Sequence, residues 1–101
     1  MGALTVSVSE TVKTEILVIA EVMKKYPIGM LANTIGDKIA KKDSLESHTY
    51  QIQSAIFEGL QKFQQNNTEF FVNVFDNFTL KVRPEADGCI LSLVENTVVL
   101  K

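Results

Sequence analysis

TEFFVNVFDNFTLKVRPEADGCILSLVE, residues 68–95, contains three strands in succession. Phe70, Val72 and Val74 alternate with Phe71, Asn73 and Phe75. Asp76-Asn77 is a two-residue turn of the kind that closes a tight hairpin. Phe78, Leu80 and Val82 alternate with Thr79, Lys81 and Arg83, the period of two that marks a strand with one buried face. Pro84-Glu85-Ala86-Asp87-Gly88 reads as a loop, because proline fixes φ and removes a donor while Asp and Gly favour turns. Cys89, Leu91 and Leu93 against Ile90, Ser92 and Val94 make the third strand. Two of these three strands are apolar on both faces, so the meander needs cover on both sides.

The totals bound the class. A chain of 101 residues, 46% hydrophobic and 22% charged, is one ordinary globular domain. A small domain buries proportionally little surface, so a sheet with two apolar faces points to an oligomer that shares its core. Ten basic and twelve acidic residues give a net charge of −2, which is no footprint for nucleic acid or an anionic membrane. Lys24, Lys25, Lys38, Lys41 and Lys42 still fall close together in sequence. The single cysteine, Cys89, allows no intramolecular disulfide and fits a buried thiol in a reducing compartment. The first residues lack the pattern of a signal peptide, and the apolar run Ile16–Val22 is broken by Glu21 and too short for a bilayer. A cytoplasmic protein without membrane insertion is expected.

Upstream of the meander the pattern is less uniform. Residues 1–10 read as an N-terminal arm, with Leu4, Val6 and Val8 alternating with small polar residues. Thr11–Lys25 reads as a helix with Val12, Ile16, Ile19, Ala20 and Met23 on one stripe. It ends at Tyr26 because Pro27 follows. Residues 28–42, IGMLANTIGDKIAKK, fit two patterns. As a helix, Ile28, Leu31, Ala32, Ile35 and Ile39 share a face. As a hairpin, Asn33, Gly36 and Asp37 take turn positions, and two glycines inside a helix would each cost about 1 kcal/mol. Ser44 is positioned to cap a helix from Leu45 to about Gln64, with Leu45, Ile52, Ala55, Ile56, Gly59, Leu60 and Phe63 on its main stripe. Tyr50 and Phe57 lie beside that stripe, more apolar surface than one sheet can cover. Gly59 permits close approach to another backbone.

No catalytic pattern is present. His48 is the only histidine, which removes triads and histidine metal sites, and it reads as a polar residue in the first turn of a helix. Glu10, Glu15 and Glu21 have no paired ligands, and no phosphate-binding glycine loop exists. No catalytic residue, metal site or cofactor is assigned.

Two segments in this order resemble the roadblock/LC-seven family, and within it the roadblock-type dynein light chains. One is Asn33-Thr34-Ile35-Gly36 with Ile39 after it, similar to that family's first-hairpin turn. The other is Leu80-Lys81-Val82-Arg83-Pro84-Glu85-Ala86-Asp87, followed by Ile90, Leu91, Leu93 and Asn96. Thr49–Phe57 is similar to the family's second helix. The resemblance covers roughly Val12 to Asn96 and favours the hairpin over residues 28–42. It implies an α+β fold in the order α-β-β-α-β-β-β over residues 11–101, with a five-stranded antiparallel sheet between two helices. It implies a homodimer, or a heterodimer with another roadblock chain, whose sheets join into one. Phe70, Phe71, Val72, Val74 and Phe75 would pair with their copies while Tyr50, Phe57 and Gly59 bring helices together. The implied function is a non-catalytic dynein light chain that binds and stabilises intermediate-chain segments in a microtubule motor, in the cytoplasm, cytoskeleton or cilium. A scaffold or regulator of small GTPases is the alternative within the family.

A different class also fits some residues. Asp37-Lys38-Ile39-Ala40, then a long helix and a hairpin, resembles small HU-like histone-type proteins or a winged helix that bind nucleic acid. That reading requires residues 28–42 to be helical and a basic arm to be present. The turn at 84–88 carries Pro, Glu and Asp without Lys or Arg.

Overall fold

The computed structural model of the chain describes residues 6–100. In chain order the elements are β1 (Val6–Ile19), α1 (Ala20–Lys25), α2 (Ile28–Lys42), a single 3-10 turn (Glu46–His48), α3 (Thr49–Gln65), β2 (Phe70–Phe75), β3 (Phe78–Glu85) and β4 (Gly88–Leu100). The architecture is α+β. One four-stranded antiparallel sheet has the order β1-β4-β3-β2. The helices cover one face of it. The five-stranded sheet and the helix–hairpin–helix order expected of residues 11–65 are not what these residues form.

The meander stands where the alternation puts it. Asp76-Asn77 is the turn between β2 and β3, and Asp76 takes the left-handed conformation that such turns require (φ 43°). Asn77 ties this tip to β4, donating its side-chain amide to Asn96 O at 2.7 Å and accepting Asn96 N–H at 2.8 Å. The expected loop 84–88 is shorter than its composition implies. Pro84 and Glu85 still pair with Cys89 and Gly88, leaving Ala86-Asp87 as the turn. Gly88 is obligatory there: its φ is +159°, and a Cβ would lie 2.1 Å from Val18 O.

The helix expected at Thr11–Lys25 is a correction. Most of that segment is β1, which pairs with β4 from Val6↔Leu100 to Ile19↔Gly88, and only Ala20–Lys25 is helical. The arm/domain boundary expected at residue 10 therefore falls inside a strand, and residues 1–5 of that arm lie outside the described residues. The two patterns share positions, because residues four apart lie on one face of a helix and on one face of a strand. The residue types separate them. Thr11, Val12, Thr14, Ile16, Val18 and Ile19 are β-branched, stiff at χ1 and suited to a pleated surface. A bulge between Val12 and Thr14 shifts the register, after which Thr14, Ile16 and Val18 face the helices.

The second correction concerns residues 28–42, which form one helix and not a hairpin. Both glycines have helical uses. Gly36 is buried where α2 crosses α3, and a Cβ there would meet Gln53 Cγ at 2.5 Å and Gln53 Cα at 3.0 Å. Gly29 faces Phe57, 3.9 Å from where its Cβ would be. Gln53 completes the crossing by donating to Asp37 Oδ1 at 2.8 Å. Lys41 and Lys42 suit the carboxyl end of α2. Ser44 does not cap α3. It sits at φ 56° before the 3-10 turn, and α3 starts at Thr49, whose hydroxyl donates to Glu46 O at 2.7 Å.

Beneath the helices, Ile52, Ile56 and Leu60 of α3 meet Val72, Leu80, Val82, Leu91 and Leu93 of the sheet, all buried. Burial of each such side chain contributes roughly 1.5–3 kcal/mol relative to exposure. Thr14 is buried among them. Its hydroxyl donates to Asp43 Oδ2 at 2.6 Å and accepts from Lys42 Nζ at 3.4 Å, which pins the end of α2 over β1.

Gly36→Ala tests the helical crossing. In an open helix this change would stabilise by about 1 kcal/mol. Here overpacking against the Gln53 backbone should reverse the sign, giving a loss of about 1–3 kcal/mol in urea unfolding. A gain in stability would place α2 farther from α3.

Candidate functional site

A four-stranded open sheet has two edges, and in this chain they differ. Among the described residues β2 is paired only with β3 and β1 only with β4, so each presents one unpaired row of backbone groups. The β2 edge, FFVNVF, has no charged side chain in its length. β1 carries Glu10, Lys13 and Glu15 and the bulge at Val12/Thr14, features that discourage indiscriminate pairing.

The residues expected at a dimer interface do not form one surface. Val72 and Gly59 are buried in the chain's own core; the close approach that Gly59 permits is to Val82 and Leu80 of β3, not to a second copy. Phe70, Val74 and Phe75 are half-buried at the edge of that core. Phe71 is 59% exposed and points the opposite way from Val72, onto the sheet face that the helices leave open. Tyr50 and Phe57, 78% and 42% exposed, line a shallow groove on the helical side with Asn33, Gln53 and Ser54. Phe71 and the Tyr50/Phe57 pair are therefore on opposite sides of the molecule.

The open face carries a shallow depression of about 220 Å³, lined in part by Phe71, Val12 and Val94 together with Glu15, Lys81 and Arg83. Its cations are taken. Lys81 pairs with Glu10, and Arg83 with Glu15 at 3.5 Å, so both bridge from β3 to β1 across β4. Lys81 also lies 5.8 Å from the centre of the Phe71 ring. Ser92 donates to Glu15 Oε2 at 3.2 Å. This is a solvated lattice of opposite charges, each exposed pair contributing about 0.2–1 kcal/mol.

His48 has a place that its sequence position did not reveal. Its ring stacks on Phe75 at 3.8 Å, and Phe75 stacks on Phe78 at 4.7 Å, so it joins the 3-10 turn to the tip of the β2–β3 hairpin. Its Nδ1 is buried without a hydrogen-bond partner. Among the described residues no three His, Cys, Asp or Glu side chains are grouped closely enough to hold a metal ion, and no helix is long and apolar enough to cross a membrane. Cys89 is fully buried on β4, and burial pushes its thiol from 9.0 up to about 11.

Comparison with family models, curated proteins and solved structures finds no match to this chain.

The thiol gives a pH test. Because its folded pKa is raised, the unfolded chain loses the proton first. The contribution of the neutral thiol is complete below pH 9 and is lost as pH rises toward 11. A shift of this size corresponds to about 3 kcal/mol. The difference in unfolding free energy between the parent protein and Cys89→Ala should therefore shrink across pH 9–11, and the thiol should resist alkylation at pH 8 until the protein unfolds. Rapid alkylation of the folded protein would contradict its burial.

Proposed function

We propose that the protein is a non-catalytic assembly module, an adaptor that dimerises by pairing β2 with β2 of a second copy. One observation carries this reading: a six-residue strand without charge, all its side chains but Val72 half-buried or exposed, forms a sheet edge with which no strand among the described residues pairs. An isologous pairing of two such strands satisfies both rows of backbone groups and joins two sheets into one of eight strands.

The light-chain role belongs to this proposal. A dimeric adaptor of roadblock type would hold a segment of dynein intermediate chain in a motor complex, in the cytoplasm, cytoskeleton or cilium; a scaffold or regulator for small GTPases would use the same dimer. The free β2 edge and the residues Leu80–Asp87 support it. The helix over residues 28–42 weighs against it, because the resemblance called for a hairpin there.

That same helix favours a second reading. α2, α3 and the following meander stand in the order required of an HU-like nucleic-acid binder. The basic arm is missing, since β3 and β4 are joined by Ala86-Asp87, and Lys81 and Arg83 are already paired with carboxylates. Assembly with protein is therefore the stronger reading.

Phe71→Asp separates these outcomes. Phe71 is exposed, so the variant should fold, but pairing would bring a carboxylate from each chain to the same joined edge. Light scattering should give a dimer mass for the parent protein and a monomer mass for the variant. A monomeric parent, or a dimeric variant, rejects pairing through β2. Recovery of dynein intermediate chain from a motor-rich extract by the parent alone supports the light-chain role. Micromolar binding to duplex DNA that falls steeply with salt moves the assignment to the nucleic-acid class.

A further inference from the structure

We propose that the free edge of β1 docks an extended segment of a partner protein that is apolar towards one end and acidic towards the other, added to the sheet as a further strand. This names a partner class for the adaptor and rests on that reading.

β1 is paired on its β4 side alone, so a row of N–H and C=O groups faces outward along the strand. An extended peptide can complete such a row, with side-chain neighbours supplying specificity. The neighbour here is α2. Its contact with α3 runs through Asn33, Gly36 and Asp37, all met by Gln53. The spacing i, i+4, i+7, i+11 places Leu31, Ile35, Lys38 and Lys42 on a different stripe, the flank turned away from α3. Lys42 shows where that flank lies, because its Nζ is 3.4 Å from Thr14 Oγ1 of β1. From Leu31 to Lys42 the stripe is about 16 Å long at the rise of a helix, enough to accompany about five residues of an added strand.

The charges select the occupant. Leu31 and Ile35 are half-buried, and Lys38 and Lys42 are exposed. Among the described residues the ion pairs are those of Lys13, Lys62, Lys81 and Arg83, and neither Lys38 nor Lys42 takes part in one. Glu10 and Glu15 of β1 are held by Lys81 and Arg83 on the open face, and Asp43, which shares the Thr14 hydroxyl with Lys42, is one carboxylate against the two lysines. The β1 edge is thus flanked by an apolar half and a cationic half. A second β1 would bring two such cationic flanks together, and β2 of another copy offers no carboxylate within its length. An acidic, partly apolar segment matches both halves.

The test titrates a capped peptide of about ten residues, the upper end of ordinary strand length, with Val at alternate positions of one half, Glu at alternate positions of the other and Thr between them, and the same peptide in reversed order, into the isotopically labelled full chain. Amide shifts should map to β1 and the outer flank of α2. Binding should weaken as salt rises, and the same peptides with Lys in place of Glu should not bind. K38E/K42E should weaken binding about tenfold with unchanged circular dichroism, and K38Q/K42Q should fall between. Shifts confined to β2 or to the Tyr50/Phe57 groove, equal binding by K38E/K42E, or contacts between β1 strands of two copies would overturn the proposal. Light scattering on the same samples reads the β2 dimer separately. Lost peptide binding in an intact dimer removes only the β1 site, whereas peptide binding by a monomer removes only the β2 pairing.

Discussion

The pairing of β1 with β4 is the constraint on which the remaining structure depends. It joins the two ends of the described chain, Val6 to Leu100, and runs, with one bulge at Val12/Thr14, to Ile19 opposite Gly88. A contact of such sequence separation must repay a large closure entropy, which it does by turning β4 into a central strand. Cys89, Leu91, Leu93 and Val94 are buried as a result. The close approach at the Ile19 end leaves no room for a side chain at Gly88, whose Cβ would strike the carbonyl of Val18. Once residues 6–19 are a strand, only Ala20–Gln65 remain to provide the helical layer.

The meander was legible because its cause is local. Alternation, a two-residue turn and a run of apolar residues lie within one window, and period two has few competitors there. The stripe Ile52, Ala55, Ile56, Gly59, Leu60 and Phe63 was legible for the same reason. Residues 11–25 were not, because Val12, Ile16 and Ala20 satisfy a helix and a strand at once; the β-branched content pointed the right way. At residues 28–42 the helical period was right, and the glycines misled because their cost was assessed without the helix they pack against. The space that Gly36 leaves is filled by Gln53, seventeen residues later, and a local window does not contain that contact.

The candidate interface was legible as an edge and not as a set of side chains. Phe70–Phe75 is an edge strand, paired with β3 and with no other strand among the described residues. Strand alternation then divides it: Val72 serves the chain's own core, while Phe71 is left on the open face. Gly59 was singled out for close approach to another backbone; what it makes room for instead is the Val82 and Leu80 side chains of β3. His48 carried no signal beyond being the only histidine. Its stacking on Phe75 follows from the 3-10 turn that delays α3, a feature that Ser44 as a cap would have removed.

The two edges have different chemistry, and that difference would give the proposed assembly a direction. An uncharged β2 suits a copy of itself, since two-fold pairing brings residues of the same strand together across the seam and here no like charges meet. β1, with its carboxylates drawn onto the open face and lysines along α2 beside it, suits an unlike partner. Joining two chains through β2 gives the strand order β1-β4-β3-β2-β2-β3-β4-β1. Both β1 edges are then outermost, about 34 Å apart at ordinary strand spacing and facing in opposite directions. One dimer would hold two extended segments at once. Two weak strand additions linked in this way reinforce each other wherever the two segments belong to one partner assembly. A monomer with the same β1 edge would keep the recognition and lose that reinforcement, so the β2 edge sets the strength of binding without touching the bound segment.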